Sequence, residues 1–319
     1  MARRNINWDE IIEENTPVAP KPLTNKFPKS PRDIEAGMIY KPVVDKNTRQ
    51  ATKKIRILPP SPDSKKYYVN MSYHEIKDPQ DYKKFSNVIC KNYSYEYKDM
   101  DTCPICKKYF QAKKANDEYV LSSMKLMTIY YYNIMVLTDK EQPENEGKVF
   151  LYRMPKDIHK VIQKKIKPTD EYDTKEYVYD YTEGRVLSLE ISLEKVPIGT
   201  SGKHVDMPTY KASNFLDKSP FSFRGKVLTD EQLDSVDSKI YKLENLISDE
   251  NMPTLEQCEF VFQYVLNEPL GVSSEGKVKE STGASQQPRQ PQQNTSQGSS
   301  EQPSTASSTD EFEAMFSGF

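Results

Sequence analysis

The residues of this 319-residue chain best suited to chemistry are one histidine and three cysteines. Cys103-Pro-Ile-Cys106 is a thiolate pair separated by two residues, a spacing that lets both sulfurs reach one tetrahedral ion. Cys90 lies 13 residues before the pair, and His74 lies 16 residues before Cys90. One His and three Cys make a closed site for a single structural Zn²⁺, with no open position for water. Such a site stabilises a fold and performs no reaction. The alternative for the Cys pair is a redox motif, which requires a following helix on a thioredoxin-like fold, and the sequence does not supply one. The chain has 4 cysteines, too few for the disulfide framework of a secreted protein this long. Three lie within 17 residues, as expected of a metal site in a reducing compartment. His159 and His204 have no ligand-like neighbours. Cys258, among Phe260, Val261 and Phe262, reads as a buried free thiol. A metal-dependent nuclease needs clustered carboxylates for hard cations. No such cluster with a supporting His or Lys is visible, so a non-enzymatic protein is expected.

A second constellation is spread along the middle of the chain. Residues 41–170 hold 26 Lys and Arg against 16 Asp and Glu, a net charge of +10. The same stretch holds 13 of the 21 tyrosines. Cations that track a phosphate backbone, interleaved with rings that accept unstacked bases, are what single-strand binding requires. Stacking contributes about 1–3 kcal/mol per base, so a handful of exposed rings suffices. Many of the tyrosines must be core residues, since alternation alone turns one or two of Tyr130-Tyr131-Tyr132 inward. Residues 230–319 carry the opposite balance, 5 Lys and Arg against 16 Asp and Glu, a net −11. The basic middle is expected to meet a polyanion, and the acidic end to compete for it.

The elements that must position these residues read as mainly β with some α. Residues 50–58 alternate apolar and basic positions, a strand with one wet, positive face that carries Lys54 and Arg56 and ends at Pro59-Pro60. Residues 119–138 read as one long strand or two shorter ones, with Lys125 as their single cation. A turn over 143–147, a strand over 149–153, a basic helix over 156–167 and a half-buried strand over 186–195 follow. Residues 229–248 and 253–267 have helical periodicity, with Thr229 and Thr254 as caps. Short strands with turn signals favour a small barrel. The domains expected are an N-terminal arm and linker (1–40), a DNA-binding core (41–228) with a zinc subdomain at about 67–118, and a helical part (229–270). A polar linker without apolar periodicity (271–309) should be disordered. The tip at 310–319 presents Asp310, Glu311, Phe312, Glu313, Phe316 and Phe319, an acidic-aromatic set suited to binding a partner protein. No run of about 18 apolar residues exists, and the N-terminus lacks the apolar core of a signal peptide, so no membrane contact and a cytoplasmic location are expected.

Asp101-Thr-Cys-Pro-Ile-Cys106, Asn133-Ile-Met-Val-Leu137 and Pro143-Glu-Asn-Glu-Gly-Lys-Val-Phe-Leu-Tyr-Arg153 closely resemble the helix-destabilising, single-stranded DNA-binding proteins of T-even phages. Ile55-Arg56-Ile57-Leu58-Pro59 and Tyr210 with Ser213-Asn-Phe-Leu216 fit as well. The likeness spans roughly residues 50–220 and is patchy between motifs. It implies an OB-fold barrel with a zinc-bearing subdomain and a basic cleft between them. By the same resemblance, His74, Cys90, Cys103 and Cys106 fall on zinc ligands. Arg56, Tyr119, Tyr130, Tyr152, Arg153 and Tyr210 fall on cleft residues, and Lys54 and Lys125 are expected beside them. The spacings from His74 to Cys90 and from Cys90 to Cys103 are longer than the family's. Of the family's basic N-terminal patch, which mediates contacts between protomers, only Arg3-Arg4-Asn5 is comparable. The implied activity is sequence-tolerant, cooperative coating of single-stranded DNA in replication, recombination and repair, in the cytoplasm of a bacterial host. Replication and recombination proteins would bind the tail. A zinc-stabilised regulator that binds single-stranded RNA is the alternative.

Overall fold

The computed structural model describes residues 27–271, apart from Ala36, Tyr82, 95–102, Glu171, Asp173 and 198–203. In chain order its elements are α1 (Pro31–Glu35), β1 (Gln50–Ile57), β2 (Tyr68–Lys77), β3 (Phe85–Ile89), α2 (Lys91–Ser94), α3 (Pro104–Ala115), α4 (Glu118–Ser123) and β4 (Met124–Asp139). There follow β5 (Val149–Met154), α5 (Lys156–Ile166), β6 (Arg185–Pro197), β7 (His204–Thr209), β8 (Asn214–Lys218), the small hairpin β9 (Ser222–Phe223) and β10 (Lys226–Val227), α6 (Asp230–Asp237) and α7 (Leu255–Leu266).

The first 8 strands form one antiparallel sheet around β4. Along one edge β4 pairs first with β2, over Met124–Tyr132, and then with β1, over Ile134–Asp139. Its other edge takes β5 over Tyr130–Met135. The change of partner falls at Asn133. Its buried amide donates to the Tyr241 carbonyl (2.9 Å) and accepts from the Tyr241 N–H (3.1 Å), while its own carbonyl accepts from Leu58 N–H (2.9 Å). A buried amide satisfied on both sides tolerates the break in the ladder. β6 is shared in the same way, with β1 on one edge and β7 then β8 on the other.

Successive side chains point to opposite faces of a strand. On the inner face Tyr132, Ile134 and Val136 join Ile55, Ile57, Leu187, Leu189 and Ile191 beneath Ile158, Ile162 and Ile166 of α5. On the outer face Val69, Met71, Tyr131 and Leu151 are covered by Leu243, Leu246, Ile247 and Met252, and by Ile34, Met38 and Ile39 of the incoming strap. Here Glu35 holds Arg153 through paired ion contacts (2.7 and 2.8 Å) and accepts a hydrogen bond from the Tyr131 hydroxyl. β2 exchanges the side it buries partway along: Val69 and Met71 face outward, then Ser72, His74 and Ile76 are buried on the inner side. That exchange seats a second unit, in which Ile76, Val88, Ile105, Val120 and Met124 pack against Val261, Phe262 and Val265 of α7.

The mainly β character with flanking helices agrees with the expectation, and both caps form. Thr229 with Gln232, and Thr254 with Gln257, make reciprocal capping boxes. Two segments differ. Residues 119–123, expected as the start of a strand, lie in α4, because the Asp117 carboxylate accepts from Val120 N–H (3.1 Å) and starts a helical turn. The helix expected over 229–248 ends at Asp237, and Leu243, Leu246 and Ile247 reach the outer-face core from a 3₁₀ turn. No helix among the described residues is long and apolar enough to cross a membrane. The arm up to residue 26, with Arg3 and Arg4, and the linker and tip from 272 onward, with Asp310, Glu311, Phe312, Glu313, Phe316 and Phe319, lie outside the described residues.

Candidate metal centre and nucleic-acid interface

His74, Cys90, Cys103 and Cys106 come together as one buried cluster, their ligand atoms all within 4.8 Å of one another. Each comes from a fixed backbone. His74 sits in β2, paired in register with Val88 and Leu126. Cys90 follows β3, its N–H donating to Ser72 O (2.8 Å). Cys103 is the N-cap of α3, with Pro104 at the first position of the helix, so Cys106 lies in its first turn. The Sγ atoms of Cys90 and Cys106 are 3.5 Å apart, and His74 Nε2 lies 3.5 Å from Cys103 Sγ and 3.4 Å from Cys106 Sγ. Tetrahedral coordination at an Zn–S bond of about 2.3 Å places sulfurs about 3.8 Å apart. The four groups therefore fit around one ion with little adjustment.

The electrostatics agree. Hydrogen bonds from Cys106 and then Cys90 pull the Cys103 thiol far below its ordinary range, towards the thiolate a metal requires. Hydrogen bonding to Cys103 and then Cys90, together with burial, pushes the Cys106 thiol above its ordinary value. A helix does follow the Cys pair, contrary to the expectation, so helix or no helix does not discriminate between redox motif and metal knuckle. The approach of His74 and Cys90 does. Cys258 is buried in α7 beside the cluster, as a free thiol pushed above its ordinary value by desolvation.

Between the metal unit and the α5 core the inner face of the sheet is only partly covered. Thr128 is exposed there, and Asn70 and Tyr130 are half-buried. Tyr130 is paired across to Asn70 and lies next to a cluster of rings. Tyr67 meets Tyr179 at 4.8 Å and Tyr68 at 5.0 Å, Tyr68 stacks on Tyr132 at 5.5 Å, and Tyr177 meets Tyr179 at 5.9 Å. Tyr67, Tyr68, Tyr130 and Tyr177 are half-buried. α5, whose Gln163 accepts from the Tyr67 hydroxyl (3.2 Å), presents exposed Lys156, Lys160 and Lys164, and the Lys175 ammonium lies 4.9 Å above the Tyr177 ring. Such cation–ring pairing suits a surface for stacked, phosphate-linked bases.

The other residues expected in a cleft do not converge on one cluster. Lys54 is exposed on β1, and Tyr119 is half-buried on α4 in the metal unit. Lys125 is exposed but lies on the opposite face of β4 from Tyr130, as alternation requires. Tyr210 is half-buried beside the inner-face core. Tyr152 is only 3% exposed and Arg153 is held by Glu35. Arg56 is 1% exposed; its guanidinium donates to the Asp180 (2.8 Å) and Ser219 (3.0 Å) carbonyls, and burial pulls its pKa down to about 10. Sequence reasoning did not single out Tyr67, Tyr68, Tyr177 or His159. The legible signals were a tyrosine pair at the head of a strand and, for His159, its place among Ile158, Ile162 and Ile166 on the buried side of α5.

The fold therefore combines a mainly β core, a Cys₃His cluster that could hold one metal ion, and tyrosine rings and a lysine-bearing helix beside a partly covered stretch of sheet. The chain belongs to the family described as gp32 DNA binding protein like, whose pattern matches residues 49–266. It is 36% identical over 107 residues to the single-stranded DNA-binding protein of Enterobacteria phage T2. It is 34% identical over 105 residues to the protein of the same description from Enterobacteria phage T4. Each match covers 33% of this chain and 33% of the relative, so the chain spans about a third of the length of the curated relatives it matches.

Proposed function

We propose that this protein binds single-stranded DNA without reading its sequence, on the partly uncovered inner face between the metal unit and the α5 core. The observation that carries the reading is the set of half-buried tyrosines Tyr67, Tyr68, Tyr130 and Tyr177 beside the lysines of α5. Rings accept any base face, and lysines follow the phosphates. Tyr210 and Tyr119 would extend the path of the strand, while Arg56, Tyr152 and Arg153 support the surface from within; Lys54 and Lys125, on the opposite face of their strands, stand outside that path. In this reading the sheet is an OB-type barrel, and the ion held by His74, Cys90, Cys103 and Cys106 is one structural Zn²⁺ that fixes one wall of the cleft. Arg3 and Arg4 contact the neighbouring protomer in a cooperative filament. The tip, Asp310 to Phe319, recruits the phage's replication and recombination proteins in the host cytoplasm.

The test is a fluorescence titration of the full chain with poly(dT), poly(rU) and duplex DNA at several salt concentrations. Single-stranded DNA should bind most tightly, with affinity falling steeply as salt rises, because each neutralised phosphate releases counterions. Tyr130→Ala should weaken binding by about 5-fold or more, with the salt slope unchanged, since stacking is not ionic. Preference for poly(rU) would instead favour a regulator of RNA, and equal affinity for duplex would remove the single-strand reading.

A further inference from the structure

His159 contributes to this surface in a way that single-strand binding by tyrosines does not by itself require. Its imidazole lies 3.7 Å from the Tyr130 ring, centroid to centroid, with the planes 12° apart. The neighbouring rings meet less closely: Tyr67 and Tyr68 are 5.0 Å apart and tilted by 55°. His159 is itself fixed. Gln163 Nε2 donates to the Tyr132 hydroxyl (3.3 Å), which leaves the hydroxyl hydrogen free to be donated to His159 Nδ1 (2.8 Å). The Tyr68 ring flanks the imidazole at 5.1 Å, and α5 holds its backbone, with His159 N–H donating to Pro155 O (2.9 Å). Burial pulls its pKa down to about 4, so the ring is neutral at ordinary pH and puts no charge beneath Tyr130.

His159 is only 8% exposed and offers a ligand almost nothing, whereas Tyr130 is half-buried. With one face of Tyr130 covered at stacking distance, the open part of the ring is its other face and rim. We propose that His159 is a positioning residue: it fixes the plane of Tyr130 from one side, so that Tyr130 accepts a single base of a single-stranded nucleic acid on its other side only. A preset ring loses less freedom when a base arrives than one that must be ordered on binding. This rests on the interface reading given above.

The experiment compares binding of (dT)₈ by the full chain as wild type, His159→Phe, His159→Gln, Tyr130→Ala and Tyr130→Ala combined with His159→Gln, across a salt series. Phe keeps the stacked ring without the imidazole nitrogen, and Gln keeps a polar group without the ring. The Phe variant should bind within about 2-fold of wild type. The Gln variant should bind about 5-fold more weakly at an unchanged salt slope, part of what one base stack is worth. In the Tyr130→Ala background the Gln change should add nothing further. Equal losses in the Phe and Gln variants, no loss in the Gln variant, or a full Gln loss on top of Tyr130→Ala would each overturn the role of His159 and leave the interface standing. Wild-type binding by Tyr130→Ala would overturn the interface itself. Thermal melts establish that each variant is folded, and His159→Met replaces the Gln variant should that one not fold.

Discussion

Single residues here are governed by what burial does to polar groups. Asp139, Lys53 and Tyr40 are all buried, and they coexist because Lys53 pairs with Asp139 and Glu141 while the Tyr40 hydroxyl donates to Asp139 (2.6 Å). Arg56 is satisfied more sparingly, by two carbonyls and by the face of Phe221 at 5.4 Å. Gly184 gives Arg56 its room, since a Cβ there would lie 2.7 Å from Nη2 and 2.2 Å from the Asp180 carbonyl. His159 gives the clearest linkage to pH. Its folded pKa of about 4 lies below its ordinary 6.5, so the folded protein binds fewer protons between the two values. Stability from this group is complete above about 6.5 and is lost as pH falls towards 4. Between pH 7 and pH 5 the loss should be about 2 kcal/mol. Urea melts of wild type and His159→Phe at both pH values check it: the variant should lack about that much of the slope, and parallel slopes would place the titration elsewhere.

At the scale of elements, β4 and the metal unit divide the work. β4 buries Tyr131 to Val136 without a gap because both of its faces are covered, so its central run loses the alternation of a half-wet strand. The metal unit draws ligands from β2, from the residue after β3 and from the start of α3, and α7 closes over it from the far end of the core. An ion there would tie the start of α3 to β2 and to the end of β3. Stripping the metal with a chelator, or Cys103→Ser, should therefore loosen α7 as well as the ligand loops. Elemental analysis should find about one zinc per chain before and none after, with a lower melting temperature. Thiol titration reads the coupling to α7 directly: Cys258, buried and no ligand, should become reactive once metal is removed. A Cys258 that stays protected in the metal-free chain would show that α7 is held by its own packing.

For the whole molecule the decisive quantity is the opposition of charge. The stretch 41–170 carries +10 and 230–319 carries −11, so the acidic end of the chain can compete with a polyanion for its basic middle. Deleting residues 273–319 should raise the affinity for single-stranded DNA at low salt, with the difference shrinking as screening grows. Titrations of the full and shortened chains at 50 and 300 mM salt, on the order of two very different Debye lengths, check it. An equal gain at both concentrations would make the effect something other than electrostatic.

What the sequence determined by itself was mostly local. Period-two runs placed β1 and β6, Thr229 and Thr254 placed two helix starts, and the Cys103–Cys106 spacing with Cys90 and His74 named a set of ligands that the fold brings together. These signals are carried by neighbours within a few residues, where propensity and capping act directly. Tertiary structure decided the rest. Tyr119 to Ser123 have strand-like composition, yet the Asp117 cap and the burial of Val120 in the metal unit made them helix. Nothing local distinguishes Tyr130, part-exposed and stacked on His159, from Tyr131 and Tyr132, buried on opposite faces. Nor does Arg153 carry any sign in its neighbours that Glu35, 118 residues earlier, will hold it. Which side of a strand is wet depends on what packs over it, and in this protein the covers arrive from α1, α5 and α7, far away in the chain.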